Sequence, residues 1–123
     1  MRPARSSLEY FERALENHTR VANVDRVTHQ VYLIQRHTQS DVKLFLTDSY
    51  VLGLAEYYDI RGEIPDVDAI VTIGAYNSVS GDAWHQGQRD GVGVFQFKEF
   101  YGALNYEGRD FLAYVPPDPR GRS

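Results

Sequence analysis

Ser78 and Ser80 are the first residues in this chain whose type and position suit chemistry. They lie in Tyr76-Asn77-Ser78-Val79-Ser80-Gly81-Asp82, a polar segment between an expected strand and an expected helix start. Free amides at a helix N-terminus hold phosphate. In open α/β sheets, ligands sit beyond the carboxyl ends of the strands. The same serines also suit plain helix capping. Asp82 already answers the helix dipole there, which favours capping. The 4 histidines (His18, His29, His37, His85) lack the His-x-x-x-His spacing of a metal site. His29 and His37 can approach each other only across a hairpin. There is no Gly-x-Ser-x-Gly elbow for a serine nucleophile. Gly91-Val92-Gly93 precedes an expected strand instead of following one, so it is no dinucleotide loop. Cysteine is absent, which excludes disulfides and thiolate metal sites. Lys43 and Lys98 are the only lysines, and any reaction needing an amine must use one of them.

The elements that position these residues belong to one domain of 123 residues, long enough to bury a core. A hydrophobic content of 42% is that of a folded chain. The net charge of −4 argues against non-specific nucleic-acid binding through overall charge, although a local basic face stays open. No apolar run reaches the length of a membrane span. The charged start Met1-Arg2-Pro3-Ala4-Arg5 leads into an amphipathic segment, not an apolar signal core, and the expected compartment is the cytoplasm.

Ser6 and Glu9 have capping-box spacing at the start of a first helix. Leu8, Phe11, Ala14 or Leu15, and His18 make its inward face, and the helix should fade near Asn17 or His18. Val21 to Arg36 reads as one or two strands. His37 to Ser40 is a polar turn, and Asp41 to Thr47 a further strand, giving an antiparallel hairpin. Asp48 or Ser49 should cap a second helix from Tyr50 to about Asp59, with Val51, Leu54, Ala55 and Tyr58 buried and Gly53 inside it for close helix–sheet contact. Val67 to Ile73 is an apolar run that fits a strand covered on both faces. A third helix carrying Ala83 and Trp84 ends at Asp90-Gly91, with Trp84 read as core. Val92 to Phe97 is the last core strand and Lys98 to Asn105 a short helix. Phe111 to Val115 suits an edge strand, and residues 116–123 a frayed Pro/Arg tail. Short apolar runs separated by helix-length segments imply parallel strands with crossovers. The expected class is α/β, a mixed sheet flanked by helices, over residues 1–115.

This order, with Ile70-Val71-Thr72-Ile73-Gly74-Ala75-Tyr76-Asn77-Ser78, Ala83, Val92–Phe97 and Phe100–Leu104, resembles the restriction-endonuclease-like, or PD-(D/E)xK, fold. The likeness is to the carboxy half of Mrr-type domains. It covers residues 67–104 in cadence and residues 6–60 by element order only. The resemblance implies a core of helix, antiparallel hairpin and strand-helix-strand crossover. It also implies a metal-dependent nuclease: a carboxylate on one strand and an acid-x-Lys on its neighbour bind Mg²⁺, which clamps the scissile phosphate while the lysine stabilises developing charge.

Three placements of that site compete. In the first, Asp25 and Asp41 ligate Mg²⁺ and Lys43 is the stabilising cation, since alternation puts Asp41 and Lys43 on one strand face. The apolar run follows this motif, whereas the family's run precedes it. In the second, Gln35-Arg36-His37 occupies the motif with His37 replacing lysine, and the site is dead. In the third, Pro65-Asp66 pairs with Gln96-Phe97-Lys98, but a crossover helix lies between them. The first is preferred, with Arg26, Arg36, Ser78 and Ser80 as phosphate contacts. Glu12 and Glu16 read as solvated residues.

The expected function is a restriction-endonuclease-like DNA-processing domain, a Mg²⁺-dependent hydrolase of phosphodiester bonds. The alternative is a catalytically silent interaction or regulatory module of the same fold. A third class is a doubly wound small-ligand domain with its site at Tyr76–Asp82, which requires all strands to be parallel. The resemblance also points to a homodimer, through the last helix or an edge strand at Phe111–Val115.

Overall fold

A computed structural model describes residues 2–117. The first helix, α1 (Arg5–Glu16), leads into three strands, β1 (Val21–Arg26), β2 (Val31–Arg36) and β3 (Val42–Thr47). A two-residue strand β4 (Val51–Leu52) precedes α2 (Leu54–Glu63), and β5 (Ala69–Thr72) follows. Then come β6 (Ser78–Val79), α3 (Gly81–Asp90), β7 (Gly93–Gln96), α4 (Phe97–Ala103) and α5 (Gly108–Leu112). The main sheet has five strands in the order β1-β2-β3-β5-β7. β1, β2 and β3 are antiparallel neighbours, whereas β3, β5 and β7 run parallel. The antiparallel first strands rule out the all-parallel, doubly wound ligand domain. The fold is α/β, a mixed sheet flanked by helices.

Alternation along the strands divides the core in two. Tyr32, Ile34, Val42, Leu44, Leu46, Ala69, Val71 and Phe95 pack with Leu8, Phe11 and Leu15 of α1 and with Phe100 and Phe111 of α4 and α5. On the opposite face, Ile70 and Val94 pack with Tyr57 and Ile60 of α2 and Ala83 of α3. All four residues of β5 are buried, as its apolar run predicts for a strand covered on both faces. Asn23, Asp25 and Gln35 on the β1–β2 side are exposed.

Several elements depart from expectation. α1 starts at Arg5, and Ala4 is its N-cap with no side-chain hydrogen bond, so the Ser6–Glu9 capping box does not form. α2 begins at Leu54, four residues late, because Tyr50 to Leu52 are extended. The Ser78 N–H donates to the Tyr50 carbonyl at 2.8 Å and the Ser80 N–H to the Leu52 carbonyl at 3.0 Å. Gly53 is therefore the N-cap of α2. The buried residues there are Leu52, Tyr57 and Ile60, whereas Val51 and Tyr58 are exposed. Residues 111–112 are helical, not an edge strand, and Phe111 is buried against Phe95 and Phe100. Trp84 is half-buried. Of the expected tail, residues 118–123 lie outside the described residues. No helix among the described residues is long and apolar enough to cross a membrane.

Candidate functional site

Registered strand pairing decides which of the expected site residues meet. Asp25 of β1 pairs with Leu33 of β2, and Leu33 with Lys43 of β3. Residues opposite one another share a face. Asp25 and Lys43 therefore face the same way, but two strand spacings apart, roughly 10 Å between backbones. Leu33, with no oxygen to offer, stands between them.

Lys43 is engaged on its other side. Its Nζ donates to both carboxylate oxygens of Asp66, at 3.0 and 2.9 Å. The hydrogen bond from Lys43 holds the Asp66 carboxyl below its ordinary range. The Lys43 backbone N–H donates to Asp68 Oδ2 at 2.9 Å. Asp41 sits just ahead of β3, exposed, on a small cleft shared with Arg36, Ser40, Asp68 and Glu107. The structure thus joins Lys43 of the first placement to Asp66 of the third. Gln96 and Lys98 lie at the opposite end of the parallel strands from Asp66, so the third placement is not assembled. Among the described residues, no group of three or more histidine or carboxylate side chains is gathered to hold a metal ion.

The two arginines expected at phosphate are turned to internal tasks. Arg36 is buried. Its Nε donates to the Ser40 carbonyl at 2.8 Å, and Nη1 to the carbonyls of Leu104 at 3.0 Å and Tyr106 at 2.7 Å. Its Nη2 reaches Glu107 at 3.1 Å. Burial lowers the Arg36 pKa, and Glu107 opposes that shift. Arg26 Nε pairs with Glu12 of α1 at 3.1 Å. Glu12 also accepts from the Tyr32 hydroxyl at 2.6 Å, so it is not the solvated residue expected. Burial raises the Tyr32 pKa, and the bond to Glu12 adds to the rise. Ser80 caps α3, its Oγ accepting from the Ala83 N–H at 3.1 Å. Ser78 lies in β6 beside β4.

A connected polar group joins Asn77, of the expected Tyr76–Asp82 segment, to residues that sequence reasoning did not place in a site. Thr47, Thr72 and Gln96 are registered neighbours at the carboxyl ends of β3, β5 and β7. Thr47 and Thr72 are buried. The hydroxyls of Thr47 and Ser49 donate to Glu56 Oε2 at 3.1 and 2.6 Å. Thr72 Oγ1 donates to the Ser49 carbonyl at 2.8 Å. Asn77 Nδ2 reaches Asp48 at 2.7 Å and Thr72 Oγ1 at 2.9 Å. Gln96 Nε2 donates to the Asn77 carbonyl at 2.7 Å. The available signal was positional: each of these strands ends on a polar residue with a turn or helix directly after it. The network ties the strand ends to the loops over them.

No family model, curated protein or solved structure matches the chain.

Proposed function

We propose that this chain is a restriction-endonuclease-like domain that acts by binding instead of cleavage, an interaction or regulatory module of DNA processing. The sheet order supports the fold part of this reading: a helix, three antiparallel strands, a crossover helix and a strand parallel to the third. One observation carries the functional part. The neighbour-strand position facing Lys43 is Leu33, where the nuclease reading needs a carboxylate. The lysine meanwhile spends its charge on Asp66. A second reading, a Mg²⁺-dependent endonuclease with Asp25 and Asp41 as ligands and Lys43 as stabiliser, is favoured only by Asp25 and Lys43 facing the same way.

The test is incubation of supercoiled and single-stranded DNA with the protein and Mg²⁺ or Mn²⁺, beside folded Asp41→Ala and Lys43→Ala variants. The binding reading expects no cleavage above the protein-free control. Metal-dependent cleavage that both variants abolish would overturn it and establish the nuclease. Calorimetric Mg²⁺ titration provides a second arm, with no heat assignable to Asp25 or Asp41 expected.

A further inference from the structure

An open cavity of about 880 Å³ lies between α1, the loop after β5 and the start of α4. It takes no part in the arrangement around Lys43. Its volume falls in the range of small-molecule pockets. One wall is aromatic: Tyr10, Phe97 and Tyr101 meet edge-on, with ring centroids 5.8 Å apart for the first pair and 6.1 Å for the second. Ala14 and Ile73 extend that apolar wall. Ser6, Ser7, Asn17 and Gln96 add polar groups around the rim.

Among the described residues, Lys98 is the one charged residue of the lining. Among the described residues, no ion pair or hydrogen bond engages its ammonium. No acidic side chain of the described residues lines the cavity. The first turn of α1, which contributes Ser6 and Ser7, also carries no acid. Lys98 thus puts a positive charge on the rim, while the nearby Glu99 carboxylate is held on the Gln96 N–H at 3.1 Å and is not part of the lining.

We propose that this cavity binds a small organic anion, a flat apolar body carrying one acidic group. The body lies against Tyr10, Phe97 and Tyr101. The acidic group meets Lys98, with the Ser6 and Ser7 hydroxyls as further donors. A flat apolar body gains edge and face contacts with the rings. A charge-assisted hydrogen bond fixes its orientation.

The probe is 1-anilinonaphthalene-8-sulfonate, a flat apolar anion that fluoresces when shielded from water, compared with its neutral analogue N-phenyl-1-naphthylamine. Titration of the native protein should saturate at one site. Lys98→Gln should weaken the anion roughly tenfold, the size of one lost charged hydrogen bond, and leave the neutral analogue unchanged. Ala14→Trp, which fills the cavity, should weaken both probes. Thermal unfolding of each variant checks that it folds. Non-saturating fluorescence, or equal anion affinity in native protein and both folded variants, would overturn the proposal. Neither result bears on the cleavage test above.

Discussion

Arg36 shows how a residue type can mislead at the scale of a single side chain. An arginine at the end of a strand resembles a phosphate ligand, but burial turns this guanidinium into a hub for four acceptors. Truncation leaves the carbonyls of Ser40, Leu104 and Tyr106 without their donor. We expect Arg36→Ala to cost about 3–5 kcal/mol, read as a lower urea midpoint with an unchanged slope. A phosphate-binding surface arginine would instead leave stability within about 0.5 kcal/mol of native. Asn77 has an equally constrained position. A Cβ on Gly74 would come within 2.6 Å of Asn77 Nδ2, the atom that bonds Asp48 and Thr72. Gly74→Ala must displace that amide and is expected to lose about 1–3 kcal/mol. A crystal structure of the variant with Asn77 unmoved would refute this account.

Among the elements, the end of α3 lies close against the chain that enters β7. Gly91 closes α3 with φ 75°, the left-handed conformation in which a Cβ is strained. Gly87 poses a different problem: an added Cβ would sit 2.3 Å from the Val92 carbonyl oxygen. Backbone cannot yield as a flexible side chain can. Gly91→Ala should therefore cost about 1–2 kcal/mol, and Gly87→Ala more than that, despite the better helix propensity of alanine. Equal losses in thermal unfolding would contradict the close-approach reading. α1 has the opposite opportunity. Ala4 already has the extended backbone of an N-cap (φ −67°, ψ 157°) but no oxygen to accept an orphan N–H. Ala4→Asp should stabilise the protein by about 0.5–2 kcal/mol, seen as a raised melting temperature.

At the scale of the whole molecule, titrating groups join elements that are distant in the chain. The Tyr57 hydroxyl of α2 donates to Asp90 of α3 at 2.7 Å, and Arg61 Nη1 donates to Tyr57 at 3.0 Å. Burial, then the bond to Asp90, pushes the Tyr57 pKa up from 10.0 to about 12. A raised folded-state pKa gives stability that is full below pH 10.0 and is lost as pH rises toward about 12. Tyr57→Phe should flatten that alkaline limb relative to the native protein in urea unfolding at stepped pH. On the acid side the sign reverses. Ser40 hydrogen bonds hold Glu107 below its ordinary 4.5. The bonds from Tyr57 and Gln86 hold Asp90 below 3.8. Their stabilisation is present above those values and lost as pH falls through the lower folded ones.

The sequence by itself determined the local patterns. The α1 stripe with Leu8 and Phe11, the doubly covered run at β5, a serine cap at Ser78 or Ser80 and the Gly91 stop are all legible because each depends on period or turn chemistry within a few residues. The structure chose Leu15 over Ala14 and Ser80 over Ser78. Tertiary structure alone decided the rest. Tyr50 to Leu52 are extended because Ser78 and Ser80, far along the chain, supply their backbone donors. Residues 108–112 become helix because Phe111 finds Phe95 and Phe100. The candidate site divided in the same way. Asp-x-Lys is visible as letters, but Leu33 opposite Lys43, Asp66 upon it, and the row Thr47, Thr72, Gln96 follow from register. Register joins residues distant in sequence, and no local pattern of side chains specifies it.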